Sequence, residues 1–162
     1  MNLSELKEEI NGIDIYLLDQ ILKGRYTESS SILDAGCGSG RNLKWFCENI
    51  FTMYGVDSLA ARVAEVQEKY PAHAQNFSVQ NLDQLEFETD FFDHIICSAV
   101  LHFASNTAHF KRMFAEMFRV LKPGGSLFIR MTSDFGIEDV VEAIADGVYA
   151  LPDGSNRFLL TR

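Results

Sequence analysis

The stretch from Ser31 to Asn42, which reads S-I-L-D-A-G-C-G-S-G-R-N, constrains the fold more than any other part of the chain. An apolar, β-prone pair ends in an acid, Asp34, and glycines follow at alternate positions, Gly36, Gly38 and Gly40. Glycine tolerates positive φ, and its missing Cβ lets backbone N–H groups approach a ligand closely. The stretch therefore predicts a buried strand, a tight glycine turn and a helix start, with which α/β proteins hold nucleotide-like ligands.

The glycine turn departs from the dinucleotide-binding pattern at one position. The sixth position of G-x-G-x-x-G takes Gly or Ala in dehydrogenases, because helix and strand must pack closely there. Arg41 occupies this position. The departure disfavours an NAD-dependent oxidoreductase, which stays an alternative.

Strand and helix patterns alternate along the rest of the chain. The predicted strands are 31–34, 52–57, 76–80, 92–97 and 126–131. Helices are predicted over 13–22, 42–49, 59–70, 107–121 and 137–145, with a turn over 122–125 and a terminal hairpin around 152–156. Ser58 is predicted to cap the helix that begins at residue 59. Such alternation predicts an α/β fold with a Rossmann-like, doubly wound, mostly parallel sheet and helices on both faces.

Polar residues follow the predicted strands, at the sheet edge where α/β proteins bind ligands. Asp57 ends the second strand, near the interval of about 20 residues at which an acid accepts hydrogen bonds from ribose hydroxyls. Its alternative role is that of an acid favoured by the dipole of the next helix. Asn81 follows the third strand, where its side chain is placed to accept from an adenine amino group while the Leu82 N–H donates to the ring. The alternative is an ordinary polar loop.

His102 follows the fourth strand and is the most informative titratable side chain, because imidazole changes charge near neutral pH. It is a candidate general base, and a packing or ligand-lining role is the alternative. The sequence has no G-x-S-x-G elbow and no G-K-[ST] phosphate loop. Its three cysteines lack C-x-x-C spacing, so no metal site is predicted.

Composition limits the partners. The 162 residues predict a single domain, with N-terminal helices over 1–29, a ligand-binding core over 30–132 and a helix and hairpin over 133–162. The net charge of -9 disfavours nucleic acid and anionic membranes, because a negative field repels polyanions. The polar N-terminus carries no secretory pattern, and no apolar run approaches the roughly 20 residues of a membrane span. A cytoplasmic location is expected.

Four segments together resemble one known family. They are I-L-D-A-G-C-G-S-G-R-N (32–42), Y-G-V-D (54–57), F-D-H-I-I-C-S-A-V-L-H-F (92–103) and R-V-L-K-P-G-G (119–125). In order and spacing they are similar to the successive motifs of class I S-adenosylmethionine-dependent methyltransferases. The G-R-N ending is similar to that of small bacterial methyltransferases of the tellurite-resistance type.

The resemblance implies S-adenosyl-L-methionine as cofactor and S-adenosyl-L-homocysteine as product. The methyl group would go to a nucleophilic atom of an unidentified acceptor, and the small, acidic domain favours a small molecule. The rival interpretation is a non-catalytic binding module that lost activity with its last strands.

The resemblance also implies a role for each matching residue. Asp34 would orient the glycine turn and the methionine amino group, and His102 would line the substrate side. The remaining cofactor-binding residues would be Gly36, Cys37 and Gly38 by their backbone, Asp57 at the ribose, Ser58, Asn81 and Leu82 at the adenine, and Ser98 at the methionine moiety.

Two departures from the family pattern carry expectations. The adenine-reading side chain is commonly Asp in this family and is Asn81 here, whose amide oxygen still accepts a hydrogen bond. The family sheet has seven strands, and this chain stops soon after the fifth. Either the run 157–161 is a substitute strand or the closing strands are absent, which would leave an exposed sheet edge through which the chain can form a homodimer.

Overall fold

Five parallel strands form the central sheet of the computed structural model, which describes residues 2–161. The strands are β1 (Ser31–Ala35), β2 (Thr52–Asp57), β3 (Phe77–Val79), β4 (Phe92–Ser98) and β5 (Leu121–Arg130). The helices are α1 (Leu3–Glu9), α2 (Ile15–Leu22), α3 (Lys44–Cys47), α4 (Ala60–Lys69) and α5 (Thr107–Val120), with short 3₁₀-helices at Pro71–Asn76 and Leu101–Phe103. The strand order β3-β2-β1-β4-β5 confirms the predicted Rossmann-like, doubly wound sheet.

Each face of the sheet has its own apolar core, because successive side chains of a strand point to opposite faces. Leu33 and Ile95 belong to one core, together with Met117 of α5. Their neighbours Ile32 and Ile96 belong to the other core, which also contains buried side chains of α2, α3 and α4. The prediction of helices on both faces is confirmed.

The predicted turn over 122–125 lies inside β5 and does not precede it. Phe92 of β4 pairs with Leu121, and only two residues later His94 pairs with Ser126, so β5 bulges by several residues. A Cβ on Gly125 would lie 2.6 Å from the Asp93 carbonyl oxygen, so a side chain there would clash with β4. The glycine allows the bulge to fold back against its neighbour.

The C-terminal helix predicted over 137–145 is wrong. Residues 135–140 form turns, and the chain then enters an antiparallel sheet of β6 (Glu142–Ala145), β7 (Val148–Ala150) and β8 (Asn156–Phe158). The apolar residues of this stretch have helical spacing, but pairing with β7 satisfies their backbone groups. The predicted hairpin around 152–156 is confirmed, because it joins β7 to β8.

The sheet ends at β5. Within residues 2–161, no strand pairs with the outer edge of β5. The run 157–161 is not a substitute strand, because Phe158 ends β8 and Leu160 makes only an isolated bridge with Ser133. An unpaired edge is a template for pairing with another chain, and dimerisation stays a prediction. The two end residues of the predicted domain, Met1 and Arg162, lie outside the described residues.

Candidate functional site

An open cavity of about 740 Å³ lies at the carboxyl ends of the five central strands. Eight of the nine predicted cofactor-binding residues line it: Gly36, Cys37, Gly38, Asp57, Ser58, Asn81, Leu82 and Ser98. Asp34 is the exception. Further walls come from Arg41, Asn42, Arg62, Val100, Phe103, Met113 and Arg130. The strand order brings these residues together, since β1 lies between β2 and β4, where the direction of winding reverses.

The glycine turn is held by β2. The N–H groups of Gly36 and Cys37 both donate to the Val56 carbonyl oxygen at 2.9 Å. Gly36 has φ of 92°, and a Cβ there would lie 2.3 Å from the Val100 side chain. Gly38 has φ of 52°, and a Cβ there would meet nothing within 4 Å. Gly36 therefore serves packing, whereas Gly38 leaves space on the cavity side of the turn.

The Asp57 carboxylate is fixed by two backbone donors. Its Oδ2 accepts from the Gly38 N–H at 3.0 Å, and its Oδ1 accepts from the Leu59 N–H at 2.9 Å. Each carboxylate oxygen has a second lone pair, so both oxygens can still accept from a ligand. The side chain is thus oriented before any ligand binds.

The predicted cap at Ser58 is wrong. Helix α4 begins at Ala60, and its capping position, Leu59, receives no side-chain hydrogen bond. The Asp57 carboxylate takes the Leu59 N–H instead. Ser58 lines the cavity.

The segment after β3 places Asn81 and Leu82 on the cavity wall. The Asn81 side chain is exposed to the cavity, while Leu82 is buried. The adjacent carboxylate of Asp83 lies 3.5 Å from Arg112 Nε and 3.7 Å from His109 Nε2. Asp83 is therefore drawn to α5, and the polar group left for a ligand is the Asn81 amide.

Asp34 lies inside β1, directly before the glycine turn, and is 2% exposed. Burial raises the pKa of its carboxyl to about 7, with the Asp57 charge adding to the rise and the Arg41 charge opposing it. A cationic group that binds nearby would favour the ionised form. Asp34 is therefore placed to respond to ligand charge near neutral pH without lining the cavity.

Ser98 takes part in a polar cluster with the start of α2. Its Oγ donates to Asp14 Oδ2 at 2.8 Å and accepts from Arg41 Nη2 at 3.1 Å. The same Asp14 oxygen lies 3.1 Å from Arg130 Nη1. Burial would raise the pKa of Asp14, but the hydrogen bonds from Ser98 and the Tyr16 N–H, together with the Arg130 charge, leave it lowered. Asp14 is therefore held as a carboxylate although its side chain is buried.

Neither Asp14 nor Arg130 was predicted from the sequence, and Arg41 was noted only as a departure from the dinucleotide-binding pattern. Asp14 accepts from the N–H of Tyr16 at 3.0 Å and so caps α2. A capping acid is detectable in a sequence, but its link to Ser98 is not, because 84 residues separate the two. Arg130 ends β5, and the rule that ligands bind at the carboxyl ends of strands would have identified it.

His102 lies in the short 3₁₀-helix after β4, beside the cavity and not in its wall. Its Nδ1 is 3.3 Å from Thr132 Oγ1, and its ring packs on Phe103 at 4.5 Å between centroids. Burial lowers the pKa of His102, and the charges of Arg157 and Arg130 lower it further. The imidazole is therefore neutral at pH 7, and its catalytic role stays a prediction.

Two kinds of feature are absent from residues 2–161. No group of three or more His, Cys, Asp or Glu side chains there is arranged to hold a metal ion. No helix in the same range has the length and the apolar composition needed to cross a membrane.

Residues 33–129 match the family model described as a methyltransferase domain. The match runs from β1 into β5 and includes each segment that contributes to the cavity after β1, β2, β3 and β4.

One known protein and two solved structures illustrate the similarity. A protein of Encephalitozoon cuniculi with a provisional methyltransferase name is 32% identical over 110 residues, which are 68% of this chain and 49% of that protein. A structure of a SAM-dependent methyltransferase from Methanosarcina mazei is 29% identical with a TM-score of 0.60, over 66% of this chain and 54% of that chain. The PH0226 protein of Pyrococcus horikoshii shares the fold, with a TM-score of 0.70 and 21% identity over 93% of this chain and 78% of that chain. The chain thus spans about half the length of the first two.

Proposed function

Because this chain belongs to the class I S-adenosylmethionine-dependent methyltransferases, we propose that it binds S-adenosylmethionine and transfers the methyl group to a small-molecule acceptor. The observation that carries the proposal is the cavity, where the turn after β1 meets the polar residues that follow β2, β3 and β4. One extended ligand can contact all four segments at once. The end of the cavity near β3 would hold the adenine, and the part near β4 would hold the methionine.

Four residues would bind the adenosine. The Asp57 carboxylate would accept from both ribose hydroxyls, since its orientation is already fixed by the N–H groups of Gly38 and Leu59. The Asn81 amide oxygen would accept from the adenine amino group, and the Leu82 N–H would donate to the ring. Ser58 would flank the adenine.

The methionine end would be read by charge and by the glycine turn. Asp34 would balance the ammonium group, and the backbone of Gly36, Cys37 and Gly38 would approach the chain closely. Arg41 would bind the carboxylate, because its side chain is 48% exposed and lines the cavity, and its guanidinium is already held beside Ser98. Each charged group of the methionine moiety would therefore face a protein group of the opposite charge.

The bound cofactor supplies an electrophilic methyl group on a sulfonium. A lone pair of the acceptor would form the new bond to the methyl carbon, and the carbon–sulfur bond would break with its electron pair left on sulfur. The protein would contribute positioning and exclusion of water. His102, neutral at pH 7, would accept the acceptor's proton where the acceptor must lose one. An acceptor that is already nucleophilic needs no such base.

The acidic surface supports a small acceptor over nucleic acid, since a net charge of -9 repels polyanions. A cytoplasmic location, a bacterial origin and a homodimer through the β5 edge also stay predictions, and the relatives include a protein from a eukaryote. The rival proposal is a cofactor-binding module without catalysis. Its support is the sheet of five strands in place of seven.

The test is methyl transfer itself. The purified chain is incubated with S-adenosylmethionine labelled in the methyl group and a panel of small nucleophiles, and labelled product and S-adenosylhomocysteine are both counted. Transfer above the level of heat-treated protein is expected. Tight binding of the cofactor without transfer to any acceptor would favour the binding module, and a preference for NAD would reject the methyltransferase interpretation.

A further inference from the structure

The end of the cavity beside β5 would lie beyond the atoms of the proposed cofactor. Adenosine would lie near β3 and β2, and methionine near β1 and β4, because the strands follow that order. The remaining wall contains Val100, Phe103 and Arg130. An acceptor that meets the methyl group must approach from this end, so these side chains bear on its chemistry.

Two aromatic rings are exposed at this end, each with a guanidinium group over it. Phe103 is 60% exposed, and Arg157 Cζ lies 4.8 Å from its ring centroid. Tyr16 is 62% exposed, and Arg130 Cζ lies 5.8 Å from its ring centroid. Phe103 and Arg130 line the cavity, and their partners Arg157 and Tyr16 pack against them from outside its lining, so planar apolar surface and positive charge lie side by side.

Arginines outnumber carboxylates here. Arg130 and Arg41 share one oxygen of Asp14, at 3.1 Å and 3.8 Å. If Arg41 binds the carboxylate of the cofactor, Asp14 is left to balance Arg130.

Arg157 is the arginine of this group without a carboxylate partner among residues 2–161. Its Nη1 donates to the Asn156 carbonyl oxygen at 2.8 Å, and no carboxylate of residues 2–161 lies within 4 Å of its guanidinium. Its charge lowers the pKa of Asp153, which is exposed to solvent and accepts hydrogen bonds from Ser155. The charges of both Arg157 and Arg130 lower the pKa of His102, so this side chain is neutral and adds no charge. A local positive excess thus exists in a chain of net charge -9.

We infer that the methyl acceptor carries a carboxylate or phosphate group on a planar ring, with the anion bound by Arg157 and the ring against Phe103. Guanidinium groups match both anions with paired hydrogen bonds, and the aromatic faces stack on a planar partner. The inference rests on the proposed function and specifies its substrate class. In the transfer, a second, nucleophilic substituent of the ring would form the bond to the methyl carbon, sulfur would keep the electron pair of the broken carbon–sulfur bond, and the proton of that substituent would pass to water or, through water, to His102.

The test uses small probes on the complex with S-adenosylhomocysteine. Benzoate and phenyl phosphate are compared with the neutral benzamide and benzyl alcohol by calorimetric titration of the saturated complex. The anions are expected to bind about tenfold more tightly, the scale of one charged hydrogen-bonded pair. A difference between benzoate and phenyl phosphate then tells which anion the site prefers.

Variants locate the effect. Arg157→Gln is expected to remove the advantage of the anions, whereas Arg25→Gln, an exposed arginine remote from the cavity, is expected to preserve it. Neutral probes that bind as well as anions would overturn the inference, as would an advantage that survives in Arg157→Gln or the failure of every probe to bind. If S-adenosylhomocysteine itself does not bind, the proposed function fails, and that result is distinct from these.

Discussion

The Oγ of Ser98 donates a hydrogen bond of 2.8 Å to Oδ2 of Asp14, which joins the carboxyl end of β4 to the start of α2. Asp14 Oδ1 caps α2 through the Tyr16 N–H at 3.0 Å, and the Asp14 N–H donates to Asn42 Oδ1 at 2.9 Å. A single buried acid therefore ties the N-terminal helix to the cavity at both β1 and β4. Helix α2 is held as part of the site by these bonds.

Replacing Asp14 should destabilise the fold. Asp14→Ala is expected to lower the free energy of unfolding by about 1–3 kcal/mol at pH 7, because it removes a helix cap and leaves Ser98 and Arg130 without their partner. Urea denaturation measures the change. Asp19→Ala, an exposed acid of α2 that pairs with Lys23, is the control and should cost less than about 0.5 kcal/mol. Equal losses of unfolding free energy in Asp14→Ala and Asp19→Ala would show that the buried cluster does not stabilise the fold more than an exposed ion pair does.

Two glycines form a matched pair. Gly38 and Gly24 have φ of 52° and 65°, and a Cβ at either position would meet nothing within 4 Å. Alanine should therefore cost each about 1 kcal/mol of stability. Only Gly38→Ala places its methyl group in the turn that lines the cavity, so only this variant should weaken S-adenosylhomocysteine binding, by about tenfold or more. The dissociation constants of S-adenosylhomocysteine for both variants are measured by calorimetry. Equal affinities would show that the glycine turn does not contact the ligand.

Cofactor affinity should depend on pH through Asp34. Its pKa of about 7 in the free protein means that the carboxyl is partly protonated at neutral pH, and binding of an ammonium group requires the ionised form. Affinity for S-adenosylhomocysteine should then rise by up to about tenfold from pH 6 to pH 8, with release of a proton on binding. Titrations in phosphate and in Tris measure both quantities. Asp34→Asn should show a flat profile, and a flat profile in the unaltered protein would contradict the assignment.

Asp93 links β1, β4 and the bulge of β5. Its Oδ2 accepts from the Ser31 N–H at 2.9 Å, and Lys122 Nζ lies 2.8 Å from Oδ1. Burial opposes the shift, but these bonds lower its pKa to about 2. The stabilisation is therefore present above about pH 4, the range of a free Asp, and is lost as pH falls toward 2.

Asp93→Asn should lower the free energy of unfolding by about 1 kcal/mol at pH 7, since the side chain is 35% exposed and its charge is screened. The difference from the unaltered protein should shrink to a small fraction of this by pH 2, where the Asp93 carboxyl is half protonated in the folded protein. Asp90→Asn, an exposed acid nearby in the sequence, should show no such pH-dependent difference. Denaturation curves at both pH values are the measurement, and a loss that persists undiminished at pH 2 would contradict the role of the charge.

The sheet was predictable because its signals are local. Each central strand contains a short apolar run, and the turn after β1 needs positive φ at Gly36, Gly38 and Gly40. The strand predicted over 52–57 has the observed bounds. The helix predicted over 137–145 was wrong because helical spacing of apolar residues is only a local preference. The pairing of Ala143 with Tyr149 is a tertiary contact that overrides it.

In the candidate site, too, local signals were predictable from the sequence and long-range contacts were not. Asp57, Asn81 and Ser98 were predictable because each follows a strand, and the parallel sheet brings all strand ends to one edge. The cluster of Asp14 and Arg130 was not, because its contacts join residues that are distant in sequence and share no pattern. Long-range side-chain pairing is visible only in the folded chain.

The most direct test of cofactor binding is the affinity for S-adenosylhomocysteine before and after Asp57→Ala, measured by calorimetry beside Glu68→Ala, an exposed acid of α4, and beside NAD as a competing ligand. S-adenosylhomocysteine is expected to bind in preference to NAD. Asp57→Ala is expected to weaken this binding by about 1–3 kcal/mol, or roughly 5- to 150-fold, and Glu68→Ala to leave it unchanged. An unchanged dissociation constant in a folded Asp57→Ala variant, or a preference for NAD, would contradict it.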